Sequence, residues 1–421
     1  MGLQQVAMAS SGCIDAGPPR MHDPSMRSTA AGSFLAWAAL GWLGVVPAGA
    51  RTVGLTVHDP AEALDGYTLW TPLYDNRTYL IDKRGRVVNA WPPTSRGHAI
   101  VYLLPNGNLL RTGQADFNPT FGSGRGSAGI VEEVDWDGTV VWQFTYSTPL
   151  EMHHHDVERL PNGNVLMIAW EFKTRNEAID AGRDPAQTLA VWPDHVIEVE
   201  PTPPTGGNIV WEWHLWDHLV QDFDPAQANY GVVADHPELV DVNYMLGPGA
   251  DWNHLNAVAY HPALDQVVLS SRPFSEVWVI DHSTTSAEAA GHTGGRSGKG
   301  GDLLYRWGNP AAYDHGTAAD RQLYFQHDVQ WVPAGRPGAG NLLVFNNGPR
   351  PGADFSSVTE WTTPVDGMGA YAYTPRVPFA PTAPTWEYTA SPATDFYSAF
   401  ISGAERMANG KIGRASCRER V

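Results

Sequence analysis

Residues 153–170 read HHHDVERLPNGNVLMIAW, three histidines and an aspartate ahead of an apolar run with a Pro-Asn-Gly-Asn turn. Imidazoles in such a group suit metal coordination, proton transfer or nucleophilic attack. A single cluster decides nothing, because a solvated loop explains it as well. The pattern recurs, however: HAIVYLLPNGNLL (98–110), HLNAVAYHPALDQVVL (254–269) and HDVQWVPAGRPGAGNLLV (327–344) repeat it. His98, His155, His254 and His327 all stand at the head of a copy. SGAERMANGK (402–411) is a further copy, with Ser402 in the histidine slot. Four histidines in one register point to a shared centre.

Within HHHD, strand alternation predicts His153 and His155 on one face and His154 on the other. The repeat register selects His155, with His154 as its competitor. Asn256 and Arg272 belong to the strand pair headed by His254, in DWNHLNAVAYHPALDQVVLSSR. Four neutral imidazoles around an axis suit iron, as in carotenoid-cleaving oxygenases. A guanidinium keeps its proton, so Arg272 would repel a divalent cation in the same pocket. An arginine beside three histidines is instead a receptor for a tetrahedral oxyanion. No metal is therefore expected there.

The elements that must position these residues are strands. Each copy is a short alternating strand, a Gly/Asn turn and a second β-rich strand, and a third and fourth follow, as in IVEEVDWDGTVVWQF. Segment 66–91 is a contracted version of the unit. Six such units predict an all-β, six-bladed β-propeller whose sixth blade is cut short at the C-terminus. Innermost first strands would bring the slot histidines to one channel mouth. Trp142, Trp211, Trp213, Trp307 and Trp386 are expected to pack between blades.

The chain has 421 residues and a net charge of −18. That balance argues against nucleic acid or anionic lipid as a partner. Its two cysteines, Cys13 and Cys417, lie near the ends, so residues 51–411 hold no disulfide or thiol site. SFLAWAALGWLGVVPAGA (33–50) reads as the apolar core of a secretory signal, Met26–Ala50, behind an over-called start. A retained N-terminal anchor is the alternative, and the only expected route to a membrane. Either way the domain, residues 51–411, is expected to be exported, to a periplasm or the outside. IGRASCRERV (412–421) resembles a translated sequencing adapter.

HHDVERLPNGN, DWNHLNAV with Ser-Ser-Arg after it, QHDVQW and DFYSAFISGAERMANG together resemble the bacterial aryl-sulfate sulfotransferases. The resemblance covers roughly residues 52–411. It implies a six-bladed propeller that needs no nucleotide or other cofactor and moves a sulfuryl group from an aryl sulfate to a phenol. His327 is then the nucleophile that becomes a sulfohistidine. His254, Arg272 and His155 hold the sulfuryl oxygens, and Asn256 assists. The resemblance gives His98 no role, and its register alone keeps it a candidate. Asp328, next to the nucleophile, is expected on the opposite face. A ligand-binding propeller without enzymatic activity and a four-histidine iron oxygenase of the carotenoid-cleaving type are the alternatives.

Overall fold

The computed structural model describes residues 58–415, except 62, 73–76, 123, 125 and 248, together with the short strand Ala7–Met8. Side chains of residues 96–99 and 414–415 lie outside that description, as does the expected leader Met26–Ala50. Turn residues at fixed offsets cut the apolar runs into short strands, which pair in chain order. One sheet holds Arg96–Leu103, Leu109–Gln114, Gly129–Val134 and Val140–Thr145. The next holds Glu151–Arg159, Val165–Glu171, Asp194–Pro201 and Gly207–His214. Two more follow, headed by Leu255–His261 and His327–Trp331. In a further sheet, which precedes these four in the chain, Tyr67–Trp70, Thr78–Asp82 and Val87–Trp91 are completed by Ala7–Met8, which runs parallel to Tyr67–Trp70.

The result is a β-propeller of five four-stranded blades. This corrects the expected six. The last unit is a two-stranded hairpin, Gly403–Arg406 paired with Ile412–Ala415, so the adapter-like segment supplies its second strand. The contracted unit 66–91 reaches four strands only by taking one from far upstream.

Head strands lie side by side and are tied directly. The Val258 N–H donates to Asp156 Oδ2 at 3.0 Å, Asn256 Nδ2 to the Gln326 carbonyl at 2.7 Å, and the Ala404 N–H to Asp328 Oδ2 at 2.8 Å. Outer strands are tied by tryptophans. Indole N–H groups of Trp91, Trp142, Trp213 and Trp307 donate to the Asp135, Gly206, Gly301 and Pro381 carbonyls of the following blade. Trp386 carries the Arg406 guanidinium over its ring at 4.7 Å. The expected inter-blade tryptophans are therefore found as such. Each buried indole contributes apolar area plus a net hydrogen bond of about 1 kcal/mol.

Candidate active site

Four head strands share one irregularity: extra residues bulge them against their second strands. The shifts fall between Gly97 and Val101, opposite Met167 to Ala169, between Leu255 and Ala257, and between His327 and Gln330. At three of these heads a residue takes a left-handed backbone: His155 at φ 53°, His254 at 41° and Asp328 at 58°. Such a conformation costs a non-glycine residue of order 1–3 kcal/mol and gathers at functional sites. A bulge re-aims side chains. Here the rings of His154, His155 and His254 gather beside one another.

His327 is buried, and its tautomer follows from its partners. Asn347 Nδ2 donates to the carbonyls of Ser398 (2.9 Å) and Ile401 (2.8 Å). Its Oδ1 must therefore accept, and it lies 2.7 Å from His327 Nδ1. The proton sits on Nδ1, and Nε2 keeps its lone pair. The Ile401 N–H donates to that nitrogen at 3.2 Å. Burial first, then the Arg272 charge, pushes the imidazole pKa down to about 3. His254 adds to the shift, which brings Arg272 and His254 to the same centre. The Arg272 guanidinium lies over the Phe325 ring at 5.0 Å, and the Arg272 backbone N–H donates to the His254 carbonyl at 3.3 Å.

His254 and His155 face one another with ring centroids 4.6 Å apart. His254 Nδ1 lies 2.6 Å from Asp251 Oδ2, and the Trp170 indole donates to Asp251 Oδ1 at 3.0 Å. This carboxylate holds the proton on Nδ1 and leaves the lone pair on Nε2.

His154 departs from the alternation expected of a regular strand. It lies with His155 and His254, because the left-handed turn at His155 breaks the alternation. His154 Nδ1 is 2.7 Å from His155 Nδ1, and His154 Nε2 is 2.6 Å from Asp194 Oδ1. Its ring stacks on Trp170 at 3.9 Å. Asp194 Oδ2 already accepts from Asn253 Nδ2 and the Leu255 N–H, both at 2.6 Å. Burial pushes the Asp194 carboxyl well up and the His154 imidazole well down. One shared proton thus serves the His154–Asp194 contact. Two donors on Oδ2 favour the carboxylate, with the proton on His154 Nε2. His154 Nδ1 then accepts from His155 Nδ1–H. His155 is thus oriented through His154 by Asp194, while His153 turns away to the Ile168 carbonyl at 2.9 Å.

Asn256 stands beside the centre as a strut, its Nδ2 given to Gln326. Its buried Oδ1 has no hydrogen-bond partner among the described residues. Asp328 takes the Ala404 N–H and leaves the orienting of His327 to Asn347. The His98 side chain lies outside the described residues.

Asn347, Asp194, Asp251 and Gly126 are the members that sequence reasoning missed. Gly126, at φ 81°, lies so close that a Cβ would sit 2.1 Å from His155 Cε1. The signal for Asp251 was in view, three residues before His254 in Asp-Trp-Asn-His. Beyond Phe325, the Arg321 guanidinium lies 5.1 Å from that ring and 4.7 Å from Tyr324. Arg350 follows, 5.1 Å from Tyr324. Three guanidiniums thus follow one another on the side of His327. The site combines an unprotonated nitrogen, a guanidinium and two oriented imidazoles, a set suited to attack on an oxyanion and proton delivery to a leaving group.

A family model described as arylsulfotransferase (ASST) matches residues 67–416. No curated protein matches the chain. Among solved structures, hydrazine synthase of Kuenenia stuttgartiensis is 14% identical, with 72% of each chain covered and a TM-score of 0.39. A putative 6-phosphogluconolactonase from Bacteroides uniformis is 11% identical, covering 82% of this chain and 73% of its own, at 0.40. Regucalcin, a calcium-binding protein of Agrobacterium tumefaciens, is 10% identical, covering 75% and 71%, at 0.32. Likeness at that level carries no inference about this chain.

Proposed function

The chain belongs to the arylsulfotransferase family, and on that premise we propose that it moves a sulfuryl group from an aryl sulfate to a phenol through a sulfohistidine on His327 Nε2. The observation that carries this reading is the asparagine-locked tautomer. With Nδ1–H given to Asn347, Nε2 is the nitrogen that can attack, once its lone pair is released from the Ile401 N–H, 3.2 Å away. A pKa of about 3 keeps it unprotonated at neutral pH. In the proposed step Nε2 forms a bond to sulfur as the bond from sulfur to the phenolic oxygen breaks. Arg272 meets the charge on the equatorial oxygens, with His254 and His155 beside it. His155 or His254, when protonated, returns a proton to the departing phenolate. A second phenol then gives its proton to the imidazole that had lost one, takes the group from Nε2 as the N–S bond breaks, and restores neutral His327. No cofactor enters the scheme. The leader-like Met26–Ala50 supports an exported location for this chemistry.

The test is a mass spectrum after brief reaction with 4-nitrophenyl sulfate. A sulfuryl adduct is expected on the peptide carrying His327, stable in alkali and lost in acid. It should be absent from His327→Ala, which should also release no nitrophenol. An adduct on the His155 peptide, or turnover that persists in His327→Ala, would sink the assignment. Arg272→Lys replaces a planar fork by a point charge and should lose ~2–4 kcal/mol of transition-state stabilisation, read from kcat/KM.

A further inference from the structure

The longest insertion in the blade headed by Leu255–His261 lies between Glu276–Asp281 and Tyr305–Trp307 and is rich in glycine. It begins on the short helix Ser286–Ala289 and carries His292 and Asp302. Both meet His218, which follows the outer strand Gly207–His214 of the preceding blade. Asp302 Oδ1 is 2.9 Å from His218 Nδ1 and 2.7 Å from His292 Nδ1. Two imidazole nitrogens and a carboxylate oxygen lie within 4.8 Å of one another, and no other group of three such donors does so among the described residues. None of the three belongs to the channel mouth.

The His218 ring is fixed before any ligand arrives. Trp213 stacks on it, 5.8 Å away and within 6° of parallel. Its Nε2 lies 2.8 Å from the Ala289 carbonyl oxygen, so that nitrogen carries a proton. A neutral His218 then directs its Nδ1 lone pair at the Asp302 carboxylate. Two lone pairs at that distance repel unless a cation stands between them, either a proton or a metal ion. Gly301 makes the approach possible: a Cβ there would sit 2.6 Å from His218 Nε2 and 2.0 Å from the Ala289 oxygen. His218 and Asp302 are buried, whereas His292 is 59% exposed in its side chain. His292 also lines a cavity of about 400 Å³ with His236, Asp217 and Tyr230.

We propose that His218, His292 and Asp302 form a divalent-metal site of the zinc class, with a further coordination position open to that cavity. Two neutral imidazoles and one carboxylate suit such an ion, and a ligating histidine ordinarily gives its other N–H to a backbone carbonyl, as His218 does. Bonds of about 2.0–2.2 Å to one ion require the donors to open slightly from their present contacts. The exposed His292, in a glycine-rich loop, can make that adjustment. The ion would clip the insertion of one blade to the outer edge of its neighbour.

The experiment titrates Zn²⁺ into the chelator-treated, dialysed full chain by calorimetry, beside His292→Ala and Asp302→Asn. One equivalent is expected in the parent chain, weakened at least about 10–100-fold in both variants. Zinc should raise the Tm of the parent and leave that of His292→Ala unchanged. His292 is exposed, so its variant folds even if the buried Asp302→Asn does not. No saturable equivalent would overturn the proposal, since a proton then suffices. So would an equivalent that survives His292→Ala and disappears in His254→Ala, which places the metal at the channel mouth.

Discussion

At the residue scale, the central relation is between His327 and Asn347. An imidazole offers a nucleophilic nitrogen only if its proton is held on the other one, and Asn347 can only accept from His327 because its own N–H groups serve two carbonyls. Asn347→Leu keeps the volume but removes the acceptor. The proton can then move to Nε2, and kcat should fall roughly 10²–10⁴-fold, the scale seen when a catalytic imidazole loses its orienting partner. KM for the donor should change little, because Arg272 and His254 remain. A parallel rise in KM would show that Asn347 shapes the pocket instead. A pH profile gives an independent check. With the His327 pKa near 3, the nucleophile stays neutral through pH 5. The burst of phenol release should therefore persist at pH 5 if the protein remains folded. A burst lost with a midpoint near 6.5 would mean that His327 is not desolvated as described.

At the scale of elements, the bulged strand head is the repeating device. The head strands that carry His155, His254 and His327 were legible because the same turn chemistry recurs behind each of them, and the packing of tryptophans between blades was legible from the placement of Trp at strand ends. The face of His154 was not legible. Alternation holds only for regular strands, and nothing in HHHD announces the left-handed turn at His155. Asp194 and Asn347 were hidden for a different reason. Each comes from a later strand or turn of its blade, and sheet pairing rather than sequence proximity brings it to its histidine. Gly126 belongs to the neighbouring blade and was hidden in the same way. Its Cβ-less backbone accepts the His155 N–H at 3.0 Å and admits the His155 ring. Gly126→Ala should displace that ring and strain a backbone at φ 81°, costing ~1 kcal/mol or somewhat more in stability. Transfer should fall at least tenfold at a temperature where the variant is fully folded by circular dichroism. Unchanged activity would show that His155 tolerates displacement and is not an oxyanion ligand.

At the scale of the whole molecule, the blade count was the feature the repeats overstated. A repeat unit announces its turn and head strand clearly, whereas completing a blade depends on strands that carry little signature. The head strands also carry acidic side chains, Asp156, Glu158 and Asp328. Tyr102 Oη donates to Asp156 at 2.6 Å, and burial pushes that carboxyl up to about 6. Burial raises Asp328 well above the usual range. Glu158 rises to about 8, through burial and then the nearby Asp156 charge. A carboxyl whose folded pKa lies above its unfolded value stabilises the fold fully below the unfolded pKa, and that contribution is lost as pH rises through the folded one. For Glu158 the loss runs from about 4.5 to about 8. The buried histidines act in the opposite direction and at lower pH. His327 and His195, both pushed down to about 3, lose their contribution as pH falls below 6.5. Near pH 8 they are neutral in both states, and because the parent and a Glu158 variant both carry them they cancel from the comparison. Glu158→Gln should therefore raise Tm at pH 8 by about 1–3 °C, a discounted figure for a half-buried group. The gain should be smaller at pH 6.5, so that the fall of Tm across this interval is shallower in the variant. Parallel Tm curves for the two proteins would mean that Glu158 meets solvent in the channel and titrates as an ordinary glutamate.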